Sequence, residues 1–324
     1  MFFKIIPRPI IDLVNIELDI QSEQTVFSEK SFEEFENIKK GVPLLLPAER
    51  KYFIFEKNNT FNIKEAKILK TIYNLKNKEY EGFKNSFETF VFLSKFKLKP
   101  SYFDIYEYVL NYNIKAINRI NSLKIKHDRL GAFQSRNIPH FGHEKIIEMM
   151  LDQCDHLVIN PVIGPKKQGD VLLENLEYVF SNILAKKYKY KISFIPYYAN
   201  MFYAGPREAV HHSLLRMKLG FTHFTVGRDH AGAGNEYDPM LAPSLLNSIK
   251  SEINIDVLAH NGAYFCSKCN HVVLSDECNH RKIYLKDISG STLRNLLRKN
   301  KIYKFADKDV QSYIIKNKGI AFND

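Results

Sequence analysis

The stretch QSRNIPHFGH, Gln134 to His143, gathers two imidazoles, a guanidinium and two side-chain amides within ten positions. His140 and His143 stand three apart, a spacing that puts both rings on one face of a helix's first turn. The amino end of a helix adds unpaired N–H groups and a partial positive charge. Gly142 lets an anion approach the backbone there. These parts suit a polyphosphate. Metal binding and core packing by the two histidines stay open on the spacing alone. Gln134, Arg136 and Asn137 add donors suited to a second anion.

GRDHAG, Gly227 to Gly232, offers related chemistry. Arg228 can fork onto an oxyanion, with Asp229 and His230 orienting the turn. In AGPREA, Ala204 to Ala209, Arg207 reads either as an anion ligand or as a structural partner of Glu208 or Asp229. A different chemistry is written in CSKCNHVVLSDECNH, with the spacing Cys266-x2-Cys269-x8-Cys278-x-His280. Three thiolates and an imidazole form a tetrahedral set for structural Zn²⁺. His271 is a substitute ligand, and unligated loop cysteines are the alternative. Cys154, beside a strand, reads as a small buried apolar residue.

The elements that must position these groups follow a regular order. From about residue 123, RLGAF is a strand and GHEKIIEMMLD a helix. HLVINPVIG, KISFIPYYA and THFTVGRDH are further strands, and INIDVLAH another. Between them NLEYVFSNILAKKY, PREAVHHSLLRMKLG and PMLAPSLLNSI have helical spacing, the second with proline in its first turn and glycine at its end. Such alternation predicts a Rossmann-like parallel sheet covered on both faces. The polar clusters all follow strands, where such sheets bind ligands. GPKKQGD lacks the Lys-Ser/Thr of a phosphate-binding P-loop, leaving Lys166 or Lys167 a rim role. The tail after Ile288 predicts two short helices, with Ser291 or Thr292 as a cap.

At 324 residues the chain has room for two domains and a small appendage. Residues 1–122 read as a mixed α/β accessory domain, with a strand at Lys51 to Lys57 and a helix at Lys64 to Leu75. Residues 123–285 form the ligand-binding domain, including a metal knuckle at 264–281, and 286–324 a small helical unit. The formal net charge of +11 is dispersed rather than gathered in a patch, so it reads as a solvated surface. A zinc-bearing nucleic-acid binder is the reading charge alone would favour, but it leaves the Arg and His clusters unexplained. The sequence has no run apolar enough for a membrane span and no signal peptide, which points to a cytoplasmic protein.

QSRNIPHFGH, AGPREAV, THFTVGRDHAG and ISGSTLRNLL resemble, in order over about 180 residues, the motifs of the ATP sulfurylases among the H-x-G-H nucleotidyltransferases. The resemblance implies a sulfate adenylyltransferase that joins ATP and sulfate into adenosine 5′-phosphosulfate and pyrophosphate. It implies sulfate binding by Gln134, Arg136 and the Ala231 N–H. Asn137, His140, His143 and Arg228 would hold the ATP phosphates and act in catalysis. Gln134, Gly142, Gly227 and His230 would complete the ATP site. It also implies Mg²⁺ entering with ATP, a reduced PUA-like accessory domain and a homo-oligomer. The chain departs from the family in Ile138 preceding Pro139 and in Phe202 replacing an arginine. The segment after GRDHAG is shorter, and the usual amino-terminal motif is missing. An acceptor other than sulfate, another oxyanion or a phosphorylated metabolite, is the variant these departures allow.

Overall fold

The computed structural model describes residues 11, 14, 15, 18, 103–164, 171–201, 203–228, 230–231, 237–317 and 321–322. The strand expected at Lys51 to Lys57, the helix at Lys64 to Leu75, and Lys166, Lys167, Phe202 and Asp229 lie outside these residues.

Five short strands form the central sheet: β1 (Leu130–Phe133), β2 (His156–Ile159), β4 (Ile192–Phe194), β6 (His223–Val226) and β7 (Asp256–Ala259). They run parallel in the order β4-β2-β1-β6-β7. The order reverses between β1 and β6. Crossovers from β1 run one way and those from β6 the other, so the two strands' carboxyl ends open a crevice. The expected parallel sheet is therefore the observed one.

Two of the expected strands are each interrupted by proline. HLVINPVIG splits into β2 and β3 (Val162–Ile163), and KISFIPYYA into β4 and β5 (Tyr197–Tyr198). Pro161 and Pro196 fall in the gaps, where a residue without an N–H cannot continue the ladder. β3 and β5 pair with each other in a separate parallel ribbon. Asn113 grips that ribbon from helix α1 (Phe103–Lys124), donating to Tyr198 O at 3.0 Å and accepting from Tyr198 N at 2.9 Å.

Alternating strand residues feed two cores. Ala132, Val158 and Phe224 pack on one side beneath helices α5 (Pro206–Leu219) and α6 (Leu241–Ser248). Phe133, Leu157, Ile159 and Phe194 pack on the other with α2 (Phe141–Gln153). There too lies a continuous helix of α3 (Leu173–Tyr178), a π-helical stretch (Val179–Leu184) and α4 (Ala185–Lys187). The carboxy-terminal helices α7 (Gly290–Arg298) and α8 (Lys308–Lys316) join this second core through Leu293, Leu297, Val310 and Ile314. The α7 cap is a correction to the sequence expectation. Ser289 is the N-cap, accepting from Thr292 N at 3.2 Å, so Thr292 supplies the backbone donor rather than the capping side chain.

β8 (Ala263–Cys266), β9 (His271–Leu274) and β10 (Leu285–Asp287) make a small antiparallel sheet that carries the cysteines. Cys154 is buried with its thiol pushed up to about 12 by burial, as expected of an inert packing residue.

Candidate functional site: an anion crevice at the switch point

The turn after β1 leads directly into α2, and His140 is that helix's N-cap. Its Nδ1 accepts from Gly142 N at 3.1 Å and His143 N at 3.4 Å. His143 replies, its Nδ1 accepting from His140 N at 3.3 Å. This is a capping box built from two imidazoles, stacked with ring centroids 3.9 Å apart. A ring nitrogen that accepts an N–H carries no proton, so both neutral rings hold theirs on Nε2. Burial presses His140 down to about 4 and His143 well below its ordinary value. The pair therefore offers N–H donors, not charge, at neutral pH.

The ISG segment closes over this turn. A Cβ added at Gly290, the first residue of α7, would lie 3.9 Å from His140 Nε2. From the same helix, Arg294 Nη1 donates to Asn137 Oδ1 at 2.9 Å. Asn137 is exposed and so reachable by a ligand. Arg294 is a crevice residue that sequence reasoning left as structural. The signal available was its place four residues into a helix opening on Gly-Ser-Thr.

β6, next to β1 in the sheet, ends in Gly227 and Arg228. Gly227 is required by close approach, since a Cβ there would come within 2.7 Å of His260 Cε1. His260 follows β7, and its Nδ1 accepts from Gly262 N at 3.2 Å, so it too keeps its proton on Nε2. Burial holds it at about 4. Its position one strand over gave no local motif to find. Arg228 is exposed and already engaged. Its Nη1 donates to Tyr264 Oη and its Nη2 to Asp287 Oδ1, each at 2.7 Å, and it sits over the Tyr264 ring. Tyr264 and Asp287 are cross-strand partners in the knuckle sheet.

His230 is drawn inward, its Nε2 2.9 Å from His212 Nδ1, and burial lowers it to about 3. Ala231 holds a left-handed φ of 54°, with its carbonyl accepting from Gly205 N at 3.1 Å. Arg207 is buried at the start of α5, and Glu208 beside it accepts from Ala204 N at 3.0 Å. Gln134, after β1, is a side-chain amide poor in partners. Its Nε2 bonds only a thioether, Met201 Sδ at 3.7 Å, and its buried Oε1 has no hydrogen bond. An amide in that condition is suited to a ligand. Arg136 lines a small pocket with Pro161, Ile163 and Leu176, on the β3 side of the crevice.

The knuckle ligands also meet. Cys266, Cys269, Cys278 and His280 place their ligand atoms within 4.8 Å of one another, the one such group among the described residues. His280 Nδ1 lies 3.6, 3.3 and 3.5 Å from the Cys266, Cys269 and Cys278 sulfurs, and Cys269 Sγ is 3.8 Å from Cys278 Sγ. A tetrahedron with metal–sulfur bonds of about 2.3 Å has edges of about 3.8 Å. The cysteines are free thiols, and the four groups could hold a metal ion. His271 instead turns its Nδ1 to Cys269 O at 2.8 Å, which removes it from the candidate set.

The class these features define is a Rossmann-type α/β domain with a crevice of imidazole, amide and guanidinium donors at its switch point. A model of the ATP-sulfurylase family matches residues 118–316. The chain belongs to the ATP-sulfurylase family. A sulfate adenylyltransferase of Ignicoccus hospitalis is 40% identical over 174 residues, covering 53% of this chain and 45% of that one. One from Pyrococcus abyssi is 41% identical over 170 residues, 51% and 44% of the two chains. The chain thus spans about half the length of the curated relatives it matches. A hexameric APS kinase from Thiobacillus denitrificans aligns over 62% of this chain and 38% of its own at 14% identity, with a TM-score of 0.44. Among the described residues no helix is long and apolar enough to cross a membrane.

Proposed function

We propose that the protein is a sulfate adenylyltransferase. One sulfate oxygen attacks the α-phosphorus of ATP, the bond from that phosphorus to the bridging oxygen breaks, and pyrophosphate leaves. Sulfate is already an anion, so no general base is required. The barrier lies in bringing two anions together in line, which calls for positioning and charge neutralisation.

What carries the reading is the meeting, on neighbouring strands, of the imidazole-capped end of α2 and the Gly227–Arg228 turn. In this reading His140 and His143 hold ATP phosphates through their Nε2–H donors, while the Gly142 N–H expected to meet the anion is instead spent on His140 Nδ1 and fixes the cap. Asn137 and Arg228 steady the departing pyrophosphate and Gly227 shapes that wall, while His230, expected at ATP, turns inward to His212 instead. Gln134, Arg136 and the Ala231 N–H hold sulfate. Arg228 reaches a phosphate by releasing Asp287, an exchange suited to an exposed pair. Mg²⁺ entering with ATP supplies further neutralisation of the phosphates.

Zn²⁺ is the ion we assign to the knuckle, on the donor set and the sulfur spacing. Cysteines grouped at metal-ligand spacing rather than in a disulfide framework suit a reducing compartment, which supports a cytoplasmic setting. A homo-oligomer rests on the family resemblance and the division at 1–122, 123–285 and 286–324 on the change of pattern along the sequence, and light scattering with limited proteolysis reads both. The decisive experiment is the exchange of labelled pyrophosphate into ATP. Exchange that requires sulfate supports the proposal. ATP binding with no exchange at any sulfate concentration removes it.

A further inference from the structure

Glu208, His212 and Arg216 stand four apart on α5 and are fully buried. Arg216 looks to carbonyls, its Nη2 donating to Asn160 O at 2.8 Å and its Nη1 to His212 O at 3.4 Å. His212 lies between carboxylate and guanidinium with both nitrogens facing partners. Its Nε2 is 3.4 Å from Glu208 Oε1, without hydrogen-bond alignment, so the attraction is electrostatic. Its Nδ1 is 2.9 Å from His230 Nε2.

Two bare nitrogens do not sit at that distance, and neither do two N–H groups, so one ring must donate to the other. The buried carboxylate decides which. It favours the His212 proton on Nε2, facing Glu208. His212 Nδ1 is then the acceptor, and His230 donates from Nε2. His140, His143 and His260 keep the same proton away from their backbone contacts, whereas His230 commits it inward to His212. Burial keeps both relay imidazoles neutral, which a chain of directed donors requires.

The relay touches both turns that border the crevice. Glu208 Oε2 accepts from Ala204 N, and the next residue, Gly205, donates to Ala231 O. Ala231 sits in a left-handed conformation that a non-glycine residue adopts only when its surroundings hold it.

We propose that Glu208 and His212 are positioning residues whose relay locks the His230–Ala231 turn and so presents the Ala231 N–H to the tetrahedral dianion. The relay acts on the acceptor anion rather than on ATP. What Ala231 meets rests on the sulfate reading above, whereas the proton arrangement does not.

Histidine ¹⁵N spectra at neutral pH, with the His230 signal assigned by its loss in His230→Asn, read the arrangement directly. The expected spectrum of the unaltered protein shows a neutral His230 with its proton on Nε2. In Glu208→Gln, which keeps the shape and removes the charge, His230 should become a mixture of tautomers. Sulfate KM should rise roughly 10-fold while ATP KM stays within about twofold. A proton on Nδ1, or a doubly protonated ring, in the unaltered protein overturns the relay even if the variant fails to fold. An unchanged sulfate KM, or both KM values rising together, overturns the positioning role. If the unaltered protein shows no sulfate-dependent exchange, the sulfate reading falls, and the spectrum still decides the proton arrangement.

Discussion

The knuckle and the crevice both collect histidine, but they use it in opposite ways. In the knuckle, His280 turns Nδ1 toward three sulfurs drawn from the β8–β9 hairpin and the turn that follows it. The knuckle's four ligand atoms converge within 4.8 Å of one another, a set that could hold a single ion. In the crevice, His140, His143 and His260 bind backbone N–H groups through Nδ1 and leave Nε2–H free to donate. Those rings come from two different strand ends. The difference is one of closure: the knuckle groups converge where a metal ion could sit, whereas the crevice rings each keep one donor unengaged. Asp287 and Tyr264 join the two, holding Arg228 from the knuckle sheet.

The largest effect should come from opening the knuckle. Structural zinc in a small loop is worth about 10–16 kcal/mol of apparent binding free energy. Cys269→Ser should abolish stoichiometric metal, measured by atomic absorption, and expose 266–280 to protease. His271→Ala should retain full metal content. Metal loss from His271→Ala, or full occupancy in Cys269→Ser, would break the assigned ligand set.

The crevice can be tested without disturbing the fold. His140→Asn keeps a capping side chain, since asparagine caps as well as any residue, but removes the ring's Nε2–H. Exchange activity should fall roughly 10²-fold, as on losing one preorganised donor, with the melting temperature nearly unchanged. A matching loss of stability would make His140 structural.

Acid should weaken the protein through its buried imidazoles. Burial holds His140, His156 and His260 at about 4, against 6.5 when unfolded. The folded state therefore binds fewer protons between those values. Stability is complete above about 6.5 and is lost as pH falls toward about 4, by about 1.4 kcal/mol per pH unit for each histidine. Urea midpoints at pH 7, 6 and 5 should decline in that order. A flat series would show that the rings are not held neutral.

The smallest effect belongs to the link between the two regions. Arg228 and Asp287 are both substantially exposed, and such pairs contribute about 0–1 kcal/mol. Asp287→Asn should leave stability unchanged and lower ATP KM by a few-fold at most, because Arg228 then meets phosphate without a competing carboxylate. A large rise in ATP KM would instead make Asp287 a support that Arg228 needs.

Much of this was legible locally. The knuckle ligands lie within fifteen positions, Cys266 to His280, so spacing narrows them to three cysteines and one of two histidines, and only the hairpin geometry separates His280 from His271. The helix start beside His140 and His143 was readable from the sequence, but the capping box their rings form was not, because the spacing alone reads as one face of the first turn. The breaks at Pro161 and Pro196 were visible as residues, yet the strands were drawn through them, because apolar alternation outweighed the missing N–H. His260, Tyr264 and Asp287 carry no local signature, and Arg294 only its place in ISGSTLRNLL; all four enter the crevice through neighbouring strands and the packing of α7.

By itself, then, the order of residues determined the alternation of strands and helices, the metal-ligating loop and the polar turns after each strand, because periodicity, caps and short spacings are local properties. Tertiary structure alone decided that β1 and β6 lie side by side and that His230 turns inward to His212. It also decided that Arg228 is held by the knuckle sheet. Those outcomes depend on which buried faces pack together, and residues far apart in the chain become partners only once the sheet is assembled.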